Sequence, residues 1–153
     1  MEAVLKVSAA LQGVSLLLLD TAPVIYLIEQ NPAYLDLVKS VFERVDDGRL
    51  NAVTTPVTLA ECLIYPIKFG LPKLRRDFID FIVNGTNTSF IGLDQTIGEE
   101  AAKHRANYNL SLPDALQVAA AIHSGCDAFL TNDSQLKRVT EVKILVLDEL
   151  EAD

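Results

Sequence analysis

Short apolar runs alternate with longer amphipathic segments along this chain, and this alternation limits the fold more than any other feature. Five runs have the length and composition of buried strands, at residues 15–19, 50–55, 88–93, 126–133 and 143–147. Two segments with helical spacing of apolar residues separate each of the first three runs from the next. Parallel strands need such crossovers, so the sequence predicts an α/β protein with a mostly parallel sheet of about five strands sandwiched between helices.

The helical segments carry their own start and stop residues. They cover residues 21–30, 31–48, 56–70, 72–85, 95–109 and 111–125. Pro56 opens the third segment, where the first turn of a helix tolerates proline, and Asp94 and Ser111 are suitable caps for the last two. Gly48 closes the second segment. Two successive helices are therefore expected directly after the first strand.

Length and composition predict one soluble domain. A chain of 153 residues with 50% hydrophobic content can bury one core but hardly two, so we expect a single domain over residues 1–153. The longest apolar stretch, residues 14–19, is far shorter than the ~20 residues that a membrane helix needs. The start of the chain carries Glu2 and lacks a secretory pattern, which favours a cytoplasmic protein. Cys62 and Cys126 stand in no CxxC pattern and are expected to be buried, reduced thiols.

The charge balance restricts the kinds of nucleic-acid partner. A formal net charge of -8 argues against a protein that coats nucleic acid with a broad basic surface. It does not exclude a nuclease, because such an enzyme gathers acids at its metal site and the bound cation reverses the field that a phosphate meets. Four basic residues lie close together in the sequence: Lys68, Lys73, Arg75 and Arg76. They either flank a substrate path or form an ordinary solvated helix face.

Four acidic residues border apolar segments, where solvated surface acids are rare. Asp20 follows the first strand, Asp133 ends the fourth, and Asp114 lies in the first turn of the last predicted helix. Glu61 lies early in the helix after the second strand. In open parallel sheets, ligands bind beyond the carboxyl ends of the strands, so these side chains are expected to share one edge. Their carboxylate oxygens are hard ligands that suit Mg²⁺ or Mn²⁺.

Each of these acids also has a structural interpretation. Asp20 can cap the following helix, and Asp114 can interact with the dipole of its own helix. Asp133 can belong to a turn, and Glu61 can face solvent. The four together, in this order along the chain, favour a shared site.

Four other polar residues are excluded from the site. Asp94 is expected to cap a helix, and Asp127 to start the fourth strand at the opposite edge of the sheet. His104 and His123 lie on separate helices with no cysteine or second histidine at ligand spacing. A zinc site is therefore not expected.

Three blocks of the sequence resemble those of the PIN-domain nucleases: LLLLDTAPVIYLIE, TPVTLAECLIYP and LSLPDALQVAAAIHSGCDAFLTND. The likeness is greatest to the VapC-type toxins of toxin-antitoxin pairs and spans roughly residues 16–147 in the family's order. It implies that Asp20, Glu61, Asp114 and Asp133 match the family's acidic quartet. It also implies a three-layer α/β/α sandwich and metal-dependent cleavage of RNA by a homodimer that a cognate antitoxin holds inactive.

The resemblance also suggests a role for each acid. It implies that Asp20 and Asp114 match the positions most directly associated with the metal. Phosphodiester chemistry then predicts that these two hold the main Mg²⁺ directly, while Glu61 and Asp133 ligate directly or through water, hold a second ion or orient the nucleophile. Thr131 matches the family's small hydroxyl residue before the last acid.

Three neighbouring polar residues have predicted supporting roles. Thr131 and Asn132 are expected to hydrogen-bond a ligating carboxylate or a phosphate oxygen, although a turn after the strand also suits them. Arg105 can reach a carboxylate or a substrate phosphate, or form a surface salt bridge.

The start of the chain departs from the family pattern. Residues 1–13 precede the point at which family members usually begin their first strand. We expect an N-terminal extension that is either an additional helix or a translation start assigned too far upstream.

Aromatic residues flank the predicted site helices. Tyr26, Tyr65 and Phe69 can stack on unpaired bases, but packing in the core or in a dimer interface is the favoured interpretation. The helices that carry them offer more apolar surface than a small sheet needs. We expect a second subunit or an antitoxin helix to cover part of it.

Other protein classes place acids at strand ends as well. A phosphoreceiver domain needs a strand-end lysine and a phosphoacceptor aspartate in the middle of the sheet, but residues 50–55 end in Thr55 and FLTND contains no lysine. A haloacid-dehalogenase-type phosphatase needs a second aspartate two residues after the first, and Ala22 stands there. Both classes are rejected. The alternatives left open are a PIN-like module that binds RNA or protein without cutting, and a housekeeping RNA-processing nuclease.

Overall fold

The structure, a computed structural model, describes residues 4–153. Its strands are β1 (Leu5–Lys6), β2 (Leu16–Leu19), β3 (Asn51–Thr54), β4 (Thr88–Phe90), β5 (Ala128–Thr131), β6 (Lys143–Val146) and β7 (Leu150–Glu151). Its α-helices are α1 (Val7–Ala10), α2 (Thr21–Ile28), α3 (Leu35–Asp46), α4 (Pro56–Lys68), α5 (Pro72–Asn84), α6 (Gln95–Tyr108) and α7 (Leu112–His123). Short 3₁₀ helices, Ser134–Arg138 and Leu147–Glu149, precede and follow β6.

Five of the strands form one parallel sheet in the order β4-β3-β2-β5-β6. Leu17 of β2 pairs with Ala52 of β3 on one side and with Ala128 of β5 on the other. The central strand is therefore β2, and its carboxyl end meets that of β5 at one edge of the sheet. The predicted α/β architecture with about five parallel strands is confirmed.

Helices cover both faces of the sheet and make a three-layer α/β/α sandwich. Successive residues of a strand point to opposite faces. Leu17 and Leu19 accordingly pack among residues of α2 to α5, whereas Leu18 packs with α6 and α7. All three are fully buried, as expected for a continuous apolar strand in a parallel sheet that is covered on both faces.

Local capping starts the helices that carry the predicted acids. The Thr55 hydroxyl accepts a hydrogen bond from the Val57 amide at 3.1 Å and begins α4. The Ser111 hydroxyl accepts from the Asp114 amide at 3.3 Å and begins α7. These caps place Glu61 in the second turn of α4 and Asp114 in the first turn of α7, both close to the carboxyl edge of the sheet.

The N-terminal extension is folded over residues 4–13. Helix α1 is the additional helix that was one of the two expectations for this segment, and β1 pairs in parallel with the last strand, β7. The Lys143 ammonium donates to the Ala10 carbonyl at 2.8 Å and ties the extension to β6. Residues 1–3 of the predicted extension lie outside the described residues.

Two expectations from composition concern cysteines and membranes. Cys62 and Cys126 are both free, and burial raises the pKa of each thiol to about 12. Full burial is wrong for Cys126, which is half-buried because it lies in the turn between α7 and β5. Across residues 4–153, no helix combines the length and apolarity that crossing a membrane requires.

Candidate active site

Six of the seven residues predicted for the site lie around one cavity at the carboxyl edge of the sheet. The cavity has a volume of about 300 Å³. Its lining comprises Asp20, Thr21, Ala22, Ile25, Tyr26, Glu61, Asp114, Thr131, Asn132 and Asp133. Four carboxylates from four separate chain segments therefore share one space, and among the residues described no lysine or arginine borders it.

Asp20 lies at the centre of the site and is only 8% exposed. Its Oδ1 accepts hydrogen bonds from the Thr21 amide at 2.9 Å and from Gln117 Nε2 at 3.4 Å. Its Oδ2 accepts from the Thr131 hydroxyl at 2.8 Å. Burial raises the pKa of Asp20, and these donors only partly oppose that effect, while the negative charge of Glu61 adds to it.

Asp114 faces the cavity from the first turn of α7. Burial raises its pKa to about 6, and the negative charge of Asp20 is the next contribution. Asp133 and Glu61 raise the pKa further, whereas the hydrogen bond with Ser111 lowers it. Asp114 is therefore a carboxylate whose ionised form is costly in the absence of a nearby positive charge.

The other two acids are held by local hydrogen bonds. Glu61 Oε1 accepts from the Thr21 hydroxyl at 2.7 Å, which fixes the carboxylate of an otherwise exposed residue. Asp133 Oδ1 accepts from the Gln135 amide at 2.9 Å and caps the 3₁₀ helix that follows. Asp133 therefore caps the turn of chain that follows β5 and also lies on the cavity wall.

Thr131 connects two of the acids. Its hydroxyl donates to Asp20 and also accepts from the Asp133 amide at 3.1 Å. The side chain is 1% exposed, so its hydrogen bond to Asp20 is shielded from water. The hydrogen bond that was predicted between Thr131 and a site carboxylate is therefore present.

Gln117 is a site residue that the sequence analysis missed. It is 1% exposed, and its Nε2 donates to the Thr58 hydroxyl at 2.6 Å as well as to Asp20. Its Oε1 accepts from the Thr55 hydroxyl at 2.6 Å. One sequence feature could have identified it: Gln117 is a polar residue in the apolar stretch after Asp114, three positions on and hence on the same face of the helix.

Asn132 and Arg105 have different surroundings from those predicted. Asn132 lines the cavity, but its side-chain amide forms no hydrogen bond with the four site acids. It instead donates to the Tyr26 hydroxyl and accepts from the Asp148 backbone amide. The Arg105 guanidinium donates to the Leu110 carbonyl, which braces the turn between α6 and α7. Arg105 does not line the cavity, and its contact with a substrate stays a prediction.

The polar residues excluded from the site lie elsewhere. Asp94 caps α6 by accepting from the Ile97 amide at 2.9 Å, and Asp127 lies at the amino edge of the sheet. His104 is buried against Tyr108, and within residues 4–153 neither of its ring nitrogens has a hydrogen-bond partner. His123 ends α7 at the surface.

The donor chemistry of the cavity fits a hard divalent cation. Among the described residues, no group of three or more histidine, cysteine, aspartate or glutamate side chains is already arranged to hold a metal ion. Mg²⁺ usually takes only one or two protein carboxylates and keeps several waters, so a complete protein cage is not required. Burial and nearby like charges raise the pKa values of Asp20 and Asp114, and a cation would compensate the negative charge of their ionised forms.

Comparison with protein families identifies the chain. The family model of the PIN domain matches residues 17–142. The chain belongs to the PIN-domain family. Among curated proteins, none matches the sequence of this PIN-domain protein.

Several solved structures share the fold of this PIN-domain protein. VapBC2 from Rickettsia felis, bound to a DNA fragment from its promoter, has a TM-score of 0.68 at 15% identity, covering 86% of this chain and 98% of that chain. VapC20 from Mycobacterium tuberculosis, a Sarcin-Ricin loop cleaving toxin, has a TM-score of 0.65 at 16% identity, covering 83% and 98%. A DNA-bound VapBC from Salmonella typhimurium has a TM-score of 0.63 at 16% identity, covering 87% and 98%. The resemblance to VapC-type PIN domains is confirmed, and at these identities the structures establish a shared fold.

Proposed function

We propose that this PIN-domain protein is an endoribonuclease that hydrolyses RNA phosphodiester bonds with the help of Mg²⁺ or Mn²⁺. One observation carries the proposal: four carboxylates from separate segments line a single cavity at the carboxyl edge of a parallel sheet. Burial, and after it the repulsion between carboxylates that share a small space, raise the pKa of Asp114. A divalent cation would relieve that repulsion and present positive charge to a phosphate.

Each acid has a proposed role in this reaction. Asp20 and Asp114 would hold the ion directly, because burial and neighbouring acids raise their pKa values and a cation would compensate the charge of their ionised forms. Glu61 and Asp133 would ligate directly or through water, or orient the attacking water. When bound, the ion would lower the pKa of a water and stabilise negative charge on the phosphoryl oxygens.

Two buried side chains would keep Asp20 in place during the reaction. Thr131 and Gln117 donate to different oxygens of its carboxylate, which fixes the orientation of the group and favours its ionised form. Arg105 and the basic cluster on α4 and α5 are proposed contacts for the RNA backbone.

We further propose that the protein is the toxin of a toxin-antitoxin pair and acts in the cytoplasm as a homodimer. The likeness to VapBC structures supports an antitoxin partner. An exposed apolar surface supports protein partners in general, since Ile64, Tyr65, Ile67 and Phe69 on and after α4 are each at least 50% exposed. We also propose that the extension belongs to the same single domain, because Val7 and Ala10 lie in the main hydrophobic cluster.

Metal-dependent RNA cleavage tests the proposed activity. Purified protein is incubated with total cellular RNA over a Mn²⁺ titration, with Asp20→Asn as the inactive variant and Asp127→Asn as the matched control at the other edge. Cleavage should rise with Mn²⁺, stop with a chelator, and fall by at least about 100-fold in Asp20→Asn, beyond the 10–100-fold typical of losing a supporting contact. Asp127→Asn should cleave like the wild type.

Other results would point to the alternatives. Binding of RNA without cleavage at any Mn²⁺ concentration would favour a PIN-like binding module. Equal cleavage by Asp20→Asn and the wild type would indicate a contaminating nuclease. Growth arrest on expression, relieved by a small protein encoded next to this chain, would separate a toxin from a housekeeping nuclease.

A further inference from the structure

Four residues other than Asp20, Glu61, Asp114 and Asp133 form a closed ring of contacts next to Asp133, made of three hydrogen bonds and one pair of stacked aromatic rings. The Tyr34 hydroxyl donates to Asp148 Oδ1 at 2.7 Å, and the Asp148 amide donates to Asn132 Oδ1 at 3.0 Å. Asn132 Nδ2 donates to the Tyr26 hydroxyl at 3.1 Å. The Tyr26 and Tyr34 rings stack with centroids 4.1 Å apart and planes at 6°, which closes the ring.

This ring joins four separate parts of the chain. Tyr26 belongs to α2, and Tyr34 immediately precedes α3. Asn132 follows β5, and Asp148 lies in the 3₁₀ helix Leu147–Glu149. Both polar ends of the Asn132 amide are bound, so the side chain cannot rotate without breaking a hydrogen bond. The backbone at Asn132 is held accordingly.

Asn132 lies between Thr131, which binds Asp20, and Asp133, which is itself one of the four site acids. Thr131 donates to Asp20 on one side and accepts from the Asp133 amide. Asp133 lines the cavity immediately after Asn132. A movement of the Asn132 backbone would therefore displace Asp133 and disturb the hydroxyl that holds Asp20.

We propose that the tyrosine latch, formed by Tyr26, Tyr34, Asn132 and Asp148, positions Asp133 for the divalent cation. The proposal rests on the proposed nuclease function. Tyr34 and Asp148 do not line the cavity, so they act through Asn132 and Tyr26, which do line it, and are positioning residues.

Loss of one hydrogen bond in the tyrosine latch should affect metal affinity more than the stability of the fold. A single partly exposed hydrogen bond contributes only about 1 kcal/mol to stability. Tyr34→Phe removes that bond and keeps the stacked ring, so the fold should be retained. The position of a metal-ligating carboxylate is far more sensitive, because loss of a partner behind a ligand typically lowers metal affinity 10–100-fold.

A matched set of variants tests the latch. Tyr34→Phe removes the hydroxyl, and Asp148→Ala removes its acceptor. Asp148→Asn restores an acceptor oxygen and should rescue what Asp148→Ala loses. Tyr108→Phe is the control, because the Tyr108 hydroxyl donates to Glu141 at 2.9 Å away from the cavity.

Three readouts distinguish positioning from structure: the dissociation constant for Mn²⁺ measured without RNA, amide hydrogen exchange over residues 131–136, and kcat and KM for RNA. Tyr34→Phe and Asp148→Ala should weaken Mn²⁺ binding about 10-fold, speed exchange in that segment and lower kcat with KM unchanged. Tyr108→Phe should match the wild type in all three. Asp148→Asn should recover most of the Mn²⁺ affinity lost in Asp148→Ala.

The outcomes separate the latch from the nuclease proposal. Equal Mn²⁺ affinity in Tyr34→Phe and Tyr108→Phe would overturn the latch, even if the wild type cleaves RNA and exchange over residues 131–136 rises. Wild-type protein that binds Mn²⁺ but cleaves no RNA would overturn the nuclease function, and weaker Mn²⁺ binding in Tyr34→Phe would still support the latch. Wild-type protein that binds no Mn²⁺ would overturn both.

Discussion

Aspartates lie next to the central strands at both the amino edge and the carboxyl edge of the sheet. Their surroundings shift their pKa values in opposite directions at the two edges. At the amino edge, Asp127 Oδ2 accepts from the Ser15 amide and hydroxyl at 2.9 Å each and from the Leu16 amide at 3.0 Å. These donors hold the pKa of exposed Asp127 below its usual value. At the carboxyl edge, burial and like charges raise the pKa of Asp20 and Asp114.

The proposed site differs from the larger cavity at the amino edge in its charge balance. A larger cavity, about 460 Å³, lies at the amino edge. Its lining includes two acids and two lysines, so its charges balance: Asp127, Glu141, Lys137 and Lys143. The smaller cavity at the carboxyl edge has four acids and, among the residues described, no balancing lysine or arginine. A cation is the ligand that this imbalance favours.

The largest expected effect contrasts the two edges in catalysis. Asp114→Asn should lower the initial rate of RNA cleavage by at least about 100-fold, because it removes a proposed direct ligand. Asp127→Asn should change the rate less than about 2-fold, because Asp127 binds the backbone at the start of β2 and lies far from the acidic cavity at the carboxyl edge. A fluorescent RNA assay at saturating Mn²⁺ measures both. Similar losses in the two variants would remove the functional distinction between the edges.

A smaller effect is expected when the acids stay and one supporting hydroxyl is removed. Thr131→Val keeps the shape of the side chain but loses the hydrogen bonds to Asp20 and Asp133. Mn²⁺ affinity should fall about 10-fold. Thr140→Val, at the cavity of the amino edge, is the matched control and should bind Mn²⁺ like the wild type. Calorimetric titration with Mn²⁺ would detect the difference, and equal affinities would exclude Thr131 as a supporting contact.

The smallest expected effect is on the free energy of unfolding without metal. Removing the charge of an aspartate should change this free energy in opposite directions at the two edges of the sheet. The pKa of Asp114 rises from 3.8 to about 6 in the folded protein, so the folded state binds more protons and the free energy of unfolding falls as pH rises through that window. Asp114→Asn should therefore raise the free energy of unfolding at pH 7 by about 1 kcal/mol after allowance for solvent screening, with no gain below the unfolded pKa.

Asp127 should behave in the opposite way. Its folded pKa lies below 3.8, so its contribution to stability is present above that pH and is lost as pH falls through the folded pKa. Asp127→Asn should lower the free energy of unfolding at pH 7. Urea denaturation in a chelator from pH 3 to pH 8 measures both variants. Changes of the same sign at pH 7 would contradict the contrast in charge compensation.

Much of the fold could be predicted because the relevant patterns are local. The run of leucines in β2 and the caps at Asp94 and Ser111 needed no tertiary information. The prediction that Asp20 and Asp133 lie at the same edge of the sheet followed from the parallel arrangement, because the carboxyl ends of parallel strands lie at one edge. The pairing of β1 with β7 could not be predicted, because two-residue strands have no detectable period.

The supporting parts of the site depend on tertiary contacts that leave little trace in the sequence. Gln117 is one polar residue among apolar ones, and only its partners Thr55, Thr58 and Asp20 reveal its role. The Tyr26 ring stacks on the Tyr34 ring, and no pattern in the sequence predicts that these two rings lie close together. Nine positions separate Arg105 from Asp114, and the turn directs the guanidinium to a backbone carbonyl instead of the cavity.

The most direct test of a cation site at the carboxyl edge is the thermal unfolding midpoint with and without Mn²⁺. At about 100-fold above its dissociation constant, Mn²⁺ should add about 2.7 kcal/mol to stability, which corresponds to a rise of roughly 5–10 °C. The wild type and Asp127→Asn should show the same rise, and Asp20→Asn should show almost none. No rise in the wild type, or an equal rise in Asp20→Asn, would contradict the account.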